Sequence, residues 1–334
     1  MNLSKPRVVV AGAGSIGCFV GGHLAAAGQS VRFLARPRIG DELMQHGLTL
    51  SDRDDCTVRV AAKDLVVGTD PGVLAAADVV LVTVKSGATR EMAASIRAFA
   101  PAHAIVVSLQ NGVDNASILQ EELPAMKVVA GMVPFNVVAL GDGRFHRATD
   151  GEVIVDAKVA ALAEALSTPY LTIATHADMR AVAWGKLLLN LNNALNALAG
   201  VPLREELAQR DWRRVLAACI AEALAALAAA GIRPAKVGAL APSLLPALLR
   251  LPDALFKLVA AAQLRIDPSA RSSMWDDLEH RRTTEIDQLQ GAIVTLAAQH
   301  GTVATMNAAV LDRVKDAEKK GAGSPRLAAA ALLG

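Results

Sequence analysis

Apolar and polar positions along this chain follow two patterns, and the change between them falls near residue 177. Up to that point, short apolar runs of strand length alternate with helical stretches, and from Asp178 onward the helical period persists. The runs predicted as strands are residues 7–11, 30–35, 57–63, 66–68, 78–84, 104–109, 128–133, 152–155 and 171–175. This alternation is typical of a largely parallel, doubly wound sheet. We therefore predict an α/β fold, with an N-terminal sheet domain (residues 1–177) and an all-helical C-terminal domain (residues 178–334).

The long helices predicted in the C-terminal half cover residues 178–199, 205–230 and 273–300. Gly200, Gly231 and Gly301 follow these stretches, and glycine readily takes the left-handed conformation that ends a helix. The connection over residues 232–270 contains Pro234, Pro242, Pro246, Pro252 and Pro268, and its role does not follow from the sequence.

The first predicted strand leads directly into a glycine motif, Gly12-x-Gly14-x-x-Gly17, and the start of a helix. Gly12 permits a tight turn, Gly14 lets the backbone approach a pyrophosphate, and Gly17 lets the helix pack closely on the strand. The backbone amides of the helix N-terminus, at Ser15 and Ile16, would face the phosphates. Because the motif lies between a strand and a helix and a second strand follows, it predicts a Rossmann-like dinucleotide-binding domain.

The end of the second predicted strand indicates which dinucleotide binds. An NAD site usually carries Asp or Glu here for the ribose hydroxyls, whereas this chain has Ala35-Arg36-Pro37-Arg38 and no acidic residue before Asp41. A carboxylate would repel a 2′-phosphate, and a guanidinium can donate two hydrogen bonds to it. Arg36 and Arg38 could also be ordinary solvated loop residues. Because Arg36 lies nearer the strand end, we predict NADPH as the cofactor and Arg36 as its 2′-phosphate ligand.

Composition excludes several other classes of protein. The 334 residues exceed one typical domain, and 34 basic residues balance 32 acidic ones, so no charge excess indicates nucleic-acid or anionic-membrane binding. Cys18, Cys56 and Cys219 show no metal-binding or redox spacing. The long apolar run over residues 215–232 contains Glu222 and predicts a buried helix rather than a membrane span. The first strand begins too early for a signal peptide, so we expect a cytoplasmic protein.

A lysine and two asparagines lie on one stripe of the first C-terminal helix. At about 100° per residue, Asn190 and Asn193 fall roughly 40° and 20° to either side of Lys186, and leucines occupy most of the remaining circumference. Inward-facing polar groups need partners, because an unpaired buried one costs about 1–3 kcal/mol. A structural network between helices would explain the stripe. A partly desolvated lysine is also a natural proton donor, and we favour this functional interpretation.

Two further groups of polar residues lie where the predicted fold can place a site. Lys85 follows one strand of the sheet and Asn111 follows the next, and open α/β sheets bind ligands at the carboxyl ends of their strands. Asn111 could equally belong to a plain Asn-Gly turn. In the helical half, Ser272 or Ser273 resembles a helix cap and Glu285 resembles a solvated charge. Residue patterns alone therefore assign neither Ser273 nor Glu285 to a site.

Taken in order, these motifs resemble the ketopantoate reductase family (2-dehydropantoate 2-reductases). The resemblance covers nearly the whole chain and rests on the glycine motif, Thr83-Val-Lys85, Gln110-Asn111-Gly112, Trp184-Gly-Lys186-Leu-Leu-Leu-Asn190, Ser272-Ser273-Met and Thr284-Glu285-Ile-Asp287. That family pairs an NADP-binding Rossmann domain with a helical C-terminal domain. Its second helical asparagine commonly stands at the position of Ala194, so here the role passes to the neighbouring Asn193.

The resemblance implies roles for individual residues. Lys186 would be the general acid, and Glu285 would contact both the lysine and a substrate hydroxyl. The residues implied to bind substrate are Asn111, Asn190, Asn193 and Ser273. Those implied to contact the cofactor, besides the glycine motif and Arg36, are Lys85, Asn111 and Glu285.

The reaction implied is reduction of a 2-oxo acid by hydride transfer from NADPH, with Lys186 protonating the carbonyl oxygen. For 2-dehydropantoate the product is pantoate, a precursor of pantothenate and coenzyme A. Reduction of another branched 2-oxo acid is one alternative. A non-catalytic NADPH-binding regulator is another, which the presence of both Lys186 and Glu285 disfavours. The expected partners are small molecules, and a homodimer is left open.

Overall fold

The computed structural model describes residues 5–54, 56–238, 240–259 and 270–333. The chain forms two compact units, which divide between Met179 and Arg180. The first unit contains a mostly parallel sheet flanked by helices, and the second is helical. The predicted fold class is therefore confirmed. Part of the proline-containing connection, residues 260–269, lies outside the described residues.

The described part of the first unit contains the strands β1 (Val8–Ala11), β2 (Val31–Leu34), β3 (Leu48–Ser51), β4 (Thr57–Val60), β5 (Val66–Gly68), β6 (Val79–Val82), β7 (Ile105–Ser108), β8 (Lys127–Met132), β9 (Val137–Gly141), β10 (Arg144–Arg147), β11 (Val153–Asp156) and β12 (Ile173–His176). Eight of them form one sheet in the order β12-β11-β8-β7-β6-β1-β2-β5. Neighbouring strands are parallel except β8 and β11, which are antiparallel. The chain order reverses at β1, between β2 and β6, and open α/β sheets bind ligands at such a point.

Helices cover both faces of this sheet, as the doubly wound prediction requires. They are α1 (Ser15–Ala26), α2 (Pro37–His46), α3 (Thr89–Phe99), α4 (Asn115–Glu122) and α5 (Ala160–Leu166). Successive residues of β1 enter different cores, because side chains alternate across a strand. Val8 and Val10 belong to one core with Phe19 of α1, and Val9 belongs to the other with Ile96 of α3. Central strands of a sheet covered on both faces are apolar throughout for this reason.

A second, smaller sheet contains the other four strands, in the order β4-β3-β10-β9. The strand predicted over residues 57–63 lies here rather than in the main sheet, and it pairs antiparallel with β3. Thr57 and Arg59 are exposed whereas Val60 is buried. This alternation suits an antiparallel sheet with one covered face and explains the error, because a strand inside the main sheet would be apolar on both sides.

The helices of the second unit and its border are α6 (Met179–Asn190), α7 (Asn192–Ala199), α8 (Leu203–Ala208), α9 (Arg210–Ala229), α10 (Leu245–Leu249), α11 (Asp253–Val259), α12 (Ser273–Glu279), α13 (Gln290–Gln299), α14 (Thr305–Lys320) and α15 (Ala330–Leu333). Gly200 ends α7 in the left-handed conformation, with φ of 62°, as predicted. The three predicted long helices are each interrupted, at Leu191, at Gln209 and over residues 280–289.

The interruptions have causes that the apolar pattern does not encode. Gln209 is extended (φ −88°, ψ 116°), and Arg281 has φ of 54°, in the left-handed region. Leu191 keeps helical dihedral angles (φ −56°, ψ −27°). Its carbonyl oxygen, however, accepts a hydrogen bond from Nε2 of Gln290 at 2.8 Å. A side chain from α13 therefore occupies an acceptor that an uninterrupted helix would use internally.

Arg213 anchors the connection that follows α9. Its buried guanidinium donates hydrogen bonds of 2.9–3.3 Å to the main-chain carbonyl oxygens of Leu207, Ala208, Leu249 and Leu251. It also donates to a carboxylate oxygen of Asp253 at 2.6 Å and lies 4.2 Å from the centre of the Phe256 ring. One side chain thus fixes α8, α10 and α11 on α9.

Arg213→Met should lower the free energy of unfolding of the protein by about 2–4 kcal/mol, because several buried acceptors lose their donor. Urea denaturation measures the loss. Arg214→Met is the matched control: Arg214 is the next residue, is exposed and forms an ion pair with Asp211 at 3.2 Å, so its replacement should change stability by less than about 0.5 kcal/mol. Equal losses in the two variants would contradict the anchoring role of Arg213.

Candidate active site

The glycine turn after β1 is tied to the neighbouring strands. Gly12 has φ of 113°, and the amides of Gly12 and Ala13 both donate to the carbonyl oxygen of Leu34, at 3.2 and 3.1 Å. The Thr83 hydroxyl, just beyond β6, donates to the Gly12 carbonyl oxygen at 2.6 Å. The turn therefore sits between the ends of β2 and β6, at the point where the strand order reverses.

The other two glycines of the motif serve different purposes. A Cβ atom at Gly17 would collide with the Gly12 carbonyl oxygen and would lie 2.7 Å from the Thr83 hydroxyl, so only glycine lets α1 pack here. A Cβ atom at Gly14 would meet no other atom within 4 Å. Open space thus lies in front of the α1 N-terminus, where the first amides, those of Ser15 and Ile16 included, have no partners within the helix. This arrangement fits the pyrophosphate of a dinucleotide.

Arg36 lies at the end of β2, beside this turn. It is exposed, extended (φ −69°, ψ 150°) and precedes Pro37, the first residue of α2. Arg38 differs in being directed to its own helix, because it forms an ion pair with Glu42 at 3.4 Å. Both arginines are exposed, so the position of Arg36 at the strand end and the ion pair of Arg38 are what distinguish them.

A buried polar network joins the loops that follow β6 and β7. Nε2 of Gln110 donates to the Val84 carbonyl oxygen at 3.0 Å, and the Ser86 hydroxyl donates to the Asn111 carbonyl oxygen at 3.0 Å. Nδ2 of Asn115 donates in turn to the Ser86 hydroxyl oxygen at 3.0 Å. The two loops are thus locked to each other. Gln110 was visible in the sequence motif, but the part played by Asn115 was missed.

This network brings two predicted site residues to the same edge of the sheet. Lys85 is exposed and lies between the two anchored residues Val84 and Ser86, and Asn111 is partly buried. Their strands are adjacent and parallel, with Val82 paired with Ser108. Both residues therefore stand at the carboxyl ends of neighbouring strands, as predicted.

Lys186 lies on α6, in the second unit, and is partly buried. Burial lowers the pKa of Lys186 to about 8, and the negative charge of Glu285 opposes that shift. The preceding residue, Gly185, lets the chain after α9 approach, since a Cβ atom there would collide with the Ala235 carbonyl oxygen. Ala235 also donates from its amide to the Ala181 carbonyl oxygen at 2.8 Å. The segment that follows α9 therefore packs directly beside the lysine.

The two predicted asparagines stand on either side of the interruption at Leu191. Asn190 is the last residue of α6, Asn193 belongs to α7, and both are partly buried. The sequence predicted that the stripe lies on one continuous helix, whereas the structure divides it between α6 and α7. Leu191 nevertheless retains helical dihedral angles. The backbone therefore continues to wind as a helix between Lys186 and Asn193.

The structure resolves which serine caps α12. Ser272 is the N-cap, because its hydroxyl oxygen accepts a hydrogen bond from the Trp275 amide at 3.1 Å. Ser273 is the first helical residue and is exposed. Glu285 is partly buried and directly precedes a short 3₁₀ turn, Ile286–Gln288. The electrostatic effect of Glu285 on Lys186 shows that these two predicted partners lie near each other.

Asn196 and Glu206 were missed in the sequence. Both are fully buried, and Nδ2 of Asn196 donates to Oε2 of Glu206 at 2.9 Å. Burial raises the pKa of Glu206 to about 8, although hydrogen bonds from Asn196 and Asn192 act in the opposite direction. The sequence signal that could have found them is the four-residue spacing of Asn192 and Asn196, which places two amides on one face of α7.

Two other kinds of site are missing from the described part of the chain. It contains no group of three or more His, Cys, Asp or Glu side chains arranged to hold a metal ion. None of its helices combines the length and the apolar character needed to cross a bilayer.

Two family profiles match the chain. The one described as "Ketopantoate reductase PanE/ApbA" matches residues 8–158, and "Ketopantoate reductase PanE/ApbA C terminal" matches residues 178–318. The 2-dehydropantoate 2-reductase of Halobacterium salinarum is 31% identical over 94% of this chain and 100% of its own. That of Archaeoglobus fulgidus is 26% identical over 93% of this chain and 98% of its own. The likeness therefore includes both units.

Solved structures extend the likeness to the backbone. The PanE/ApbA family ketopantoate reductase from Ralstonia eutropha matches with a TM-score of 0.80 at 28% identity, over 94% of this chain and 99% of that one. A D-mandelate dehydrogenase in ternary complex with NADH and anilino(oxo)acetate matches with a TM-score of 0.77 at 20% identity, over 94% and 99% of the two chains. The second match shows a shared fold only.

The raised pKa of Glu206 predicts a specific dependence of stability on pH. The folded protein keeps a proton on Glu206 that the unfolded chain, with the ordinary value of 4.5, releases. This contribution to stability is complete below about pH 4.5 and is lost as the pH rises to about 8, by up to about 5 kcal/mol. Glu206→Gln removes the titrating group, so its stability should lack this decline.

Denaturation curves at several pH values measure the difference in unfolding free energy between the parent and Glu206→Gln. Glu205→Gln is the control, because Glu205 is the neighbouring residue and is exposed, and this variant should keep the parental decline. A difference between parent and Glu206→Gln that stays constant from pH 4.5 to 8 would show that Glu206 is not protonated in the folded protein.

Proposed function

Because this chain belongs to the ketopantoate reductase family, and is thus an oxidoreductase, we propose that it reduces 2-dehydropantoate to pantoate with NADPH. The product would serve pantothenate and coenzyme A synthesis. The observation that carries the proposal is the partly buried Lys186 with Glu285 nearby, which gives the helical unit a proton donor with a pKa of about 8. A protein that only bound the nucleotide would have no need of this pair.

The first unit supplies the residues that would hold the cofactor. The glycine turn and the first amides of α1 (Ser15, Ile16 and Gly17) would bind the pyrophosphate, and Arg36 would bind the 2′-phosphate. Lys85 and Asn111, at the ends of β6 and β7, would contact the nicotinamide half, together with Glu285 from the second unit. Bound NADPH would supply the hydride that reduces the carbonyl carbon.

Lys186 would act on the carbonyl oxygen of the substrate. Its ammonium group donates a hydrogen bond to the oxygen as negative charge develops there, and then releases a proton to the forming alkoxide. A pKa of about 8 suits this role, because the group is largely charged at neutral pH and yet is a stronger acid than an exposed lysine. The negative charge of Glu285 favours the charged form of Lys186, so the lysine retains the proton that it donates.

The polar residues around the lysine would orient the substrate. Asn190, Asn193 and Ser273 present amide and hydroxyl groups suited to the hydroxyl and carboxylate of a 2-oxo acid, and Asn111 would add a contact from the first unit. These side chains are exposed or partly buried, whereas Asn196 and Ser272, their neighbours in sequence, are fully buried. This difference in solvent access supports the proposal that Asn190, Asn193, Ser273 and Asn111 meet the substrate.

A reductase of another branched 2-oxo acid is the nearest alternative, because the same residues would serve any such carbonyl. A panel of 2-oxo acids that includes 2-dehydropantoate tests the assignment by loss of NADPH absorbance. A higher kcat/KM with a different acid would identify that acid, rather than 2-dehydropantoate, as the substrate. Tight NADPH binding with no turnover of any acid would indicate a regulator and refute the proposal.

Arg36→Ala should weaken the preference for NADPH over NADH by about 10- to 100-fold, because a charge-assisted contact is worth roughly 1.5–3 kcal/mol. The ratio of KM values for the two cofactors measures this preference. Arg38→Ala, whose side chain pairs with Glu42, is the matched control and should leave the ratio unchanged. Equal cofactor preference in the parent enzyme would refute the role of Arg36.

Lys186→Ala should lower kcat at least about 100-fold, the typical contribution of one positioned acid. Its affinity for NADPH should persist, because the glycine turn lies in the other unit. In the parent, kcat/KM should fall as the pH rises above about 8, where the ammonium loses its proton, and this alkaline limb should vanish in the variant. A kcat close to that of the parent would show that Lys186 is not the proton donor and that the polar stripe has a structural role.

Glu285→Gln tests whether Glu285 acts through the lysine. Removing its negative charge should lower the pKa of Lys186 further, since Glu285 is the influence that raises it. The alkaline limb of kcat/KM should therefore move to lower pH, and kcat should fall. A limb that stays in place would show that Glu285 contributes only packing.

A further inference from the structure

Asn196 joins three segments of the second unit through one buried side chain. Its Oδ1 accepts a hydrogen bond from the Ser272 amide at 2.8 Å. Its Nδ2 donates to the Val201 carbonyl oxygen and to Oε2 of Glu206, each at 2.9 Å. The end of α7, the turn into α8 and the start of α12 thus meet at this amide, which is fully shielded from solvent.

Ser272 carries this connection to two residues of the proposed substrate site. Its hydroxyl donates to the main-chain oxygen of Asn193 at 2.9 Å and accepts from the Trp275 amide at 3.1 Å. Ser273 is the next residue in the chain, so the bonds that fix Ser272 also fix the backbone from which Ser273 projects. Asn193 lies one helical turn before Asn196 on α7. The network therefore links the backbones of Asn193 and Ser273.

Glu206 completes the network in an unusual way. It is a fully buried carboxyl group whose partners are amides, at 2.9 Å to Asn196 and 3.4 Å to Asn192. Among the described residues, its Oε1 and the Oδ1 of Asn192 are buried without a hydrogen-bond partner. Apolar residues of similar size would fill such a place at less energetic cost. A buried polar group that breaks the usual packing rules is expected where a function requires it.

We infer that Asn196 and Glu206 are positioning residues for the substrate: through Ser272 they hold Asn193 and Ser273 in the geometry that binds the 2-oxo acid. This inference rests on the proposed function, since it concerns the same site. Neither residue needs to touch the substrate. Their loss should weaken substrate binding while leaving the nucleotide site, which lies in the other unit, unaffected.

The first test compares Asn196→Ala with Asn307→Ala. Asn307 is equally buried in the same unit, and its Nδ2 donates to the Cys219 carbonyl oxygen at 3.0 Å and to Glu222 at 2.8 Å, rather than to the residues that hold Ser272. Both variants should lose stability. Only Asn196→Ala should raise the KM for the 2-oxo acid, by about tenfold, which corresponds to one lost hydrogen bond. The Kd for NADPH should stay within about twofold in both variants.

Hydrogen exchange gives a readout that needs no turnover. The amides of Ser272 and Trp275 should exchange faster in Asn196→Ala and should keep parental protection in Asn307→Ala. Unchanged protection at these two amides would overturn the positioning role, whatever the assay shows. A parent enzyme that turns over no 2-oxo acid would instead refute the proposed function, and the two failures are thus distinguishable.

Glu206 provides a second variant pair in case Asn196→Ala fails to fold. Glu206→Gln keeps a neutral group of the same shape with an oxygen acceptor for Asn196, and it should hold the KM for the 2-oxo acid within about threefold of the parent. Glu206→Leu removes the acceptor and should raise KM by about tenfold. Equal KM values in the two variants would overturn the inference.

A double-mutant cycle with Ser273→Ala separates positioning from an independent effect. If Asn196 acts through Ser273, the increase in KM for Asn196→Ala with Ser273→Ala should be smaller than the product of the single increases. Increases that multiply fully would show that Asn196 affects KM by another route and would overturn the inference.

Discussion

The removal of charged and titratable groups from water is the constraint on which the helical unit depends. Its interior is built mainly from alanine and leucine, yet it encloses Arg213, Glu206 and most of Lys186. Each buried charge would cost several kcal/mol without compensation. Arg213 satisfies its donors with carbonyl oxygens and Asp253. That solution requires the chain after α9 to fold back over the guanidinium.

The sheet unit also buries polar groups, but the groups at its strand ends are uncharged side chains that pair with one another and with nearby main-chain carbonyl oxygens. Gln110, Ser86 and Asn115 pair in this way. These hydrogen bonds hold the two loops against each other. The space in front of Gly14, at the N-terminus of α1, is open by contrast, because a side chain there would meet no atom within 4 Å. Hydrogen-bonded loops beside an open helix N-terminus are preorganised for an anionic group, which then binds without first ordering the loops.

Features that depend on short stretches of sequence were predictable, and features that depend on tertiary hydrogen bonds were not. The turn at the glycine motif was predictable because the strand, the three glycines and the helix are contiguous in the sequence. The positive φ of Gly12 and the tight contact at Gly17 agree with that prediction. The end of α6 could not be read this way. There the Leu191 carbonyl oxygen accepts a hydrogen bond from Gln290, which is 99 residues away in the chain.

The supporting residues of the site were hidden for a related reason. Glu206 stands beside Glu205 at the start of a short helix, where acidic residues commonly lie in solvent, and nothing local shows that one of the two is buried. Asn196 was likewise one asparagine among several on a leucine-rich helix. Its four-residue spacing from Asn192 indicates a polar face of α7, but its contact with α12 is made through Ser272, 76 residues away. A side chain's role in holding another element becomes visible only when both elements are placed.

Two glutamates of the helical unit have the same side chain but different surroundings, and these surroundings determine how each behaves. Among the described residues, the Glu206 carboxyl group is hydrogen-bonded to amides, and burial favours its neutral form. Glu285 is partly exposed and stands near Lys186, where its negative charge offsets part of the lysine's desolvation. If Lys186 were fully exposed, its pKa would return toward 10.5, and it would be a weaker acid for the role proposed above. The acidity of the lysine therefore depends on two opposing influences within one unit, the burial of Lys186 itself and the negative charge of the partly buried Glu285.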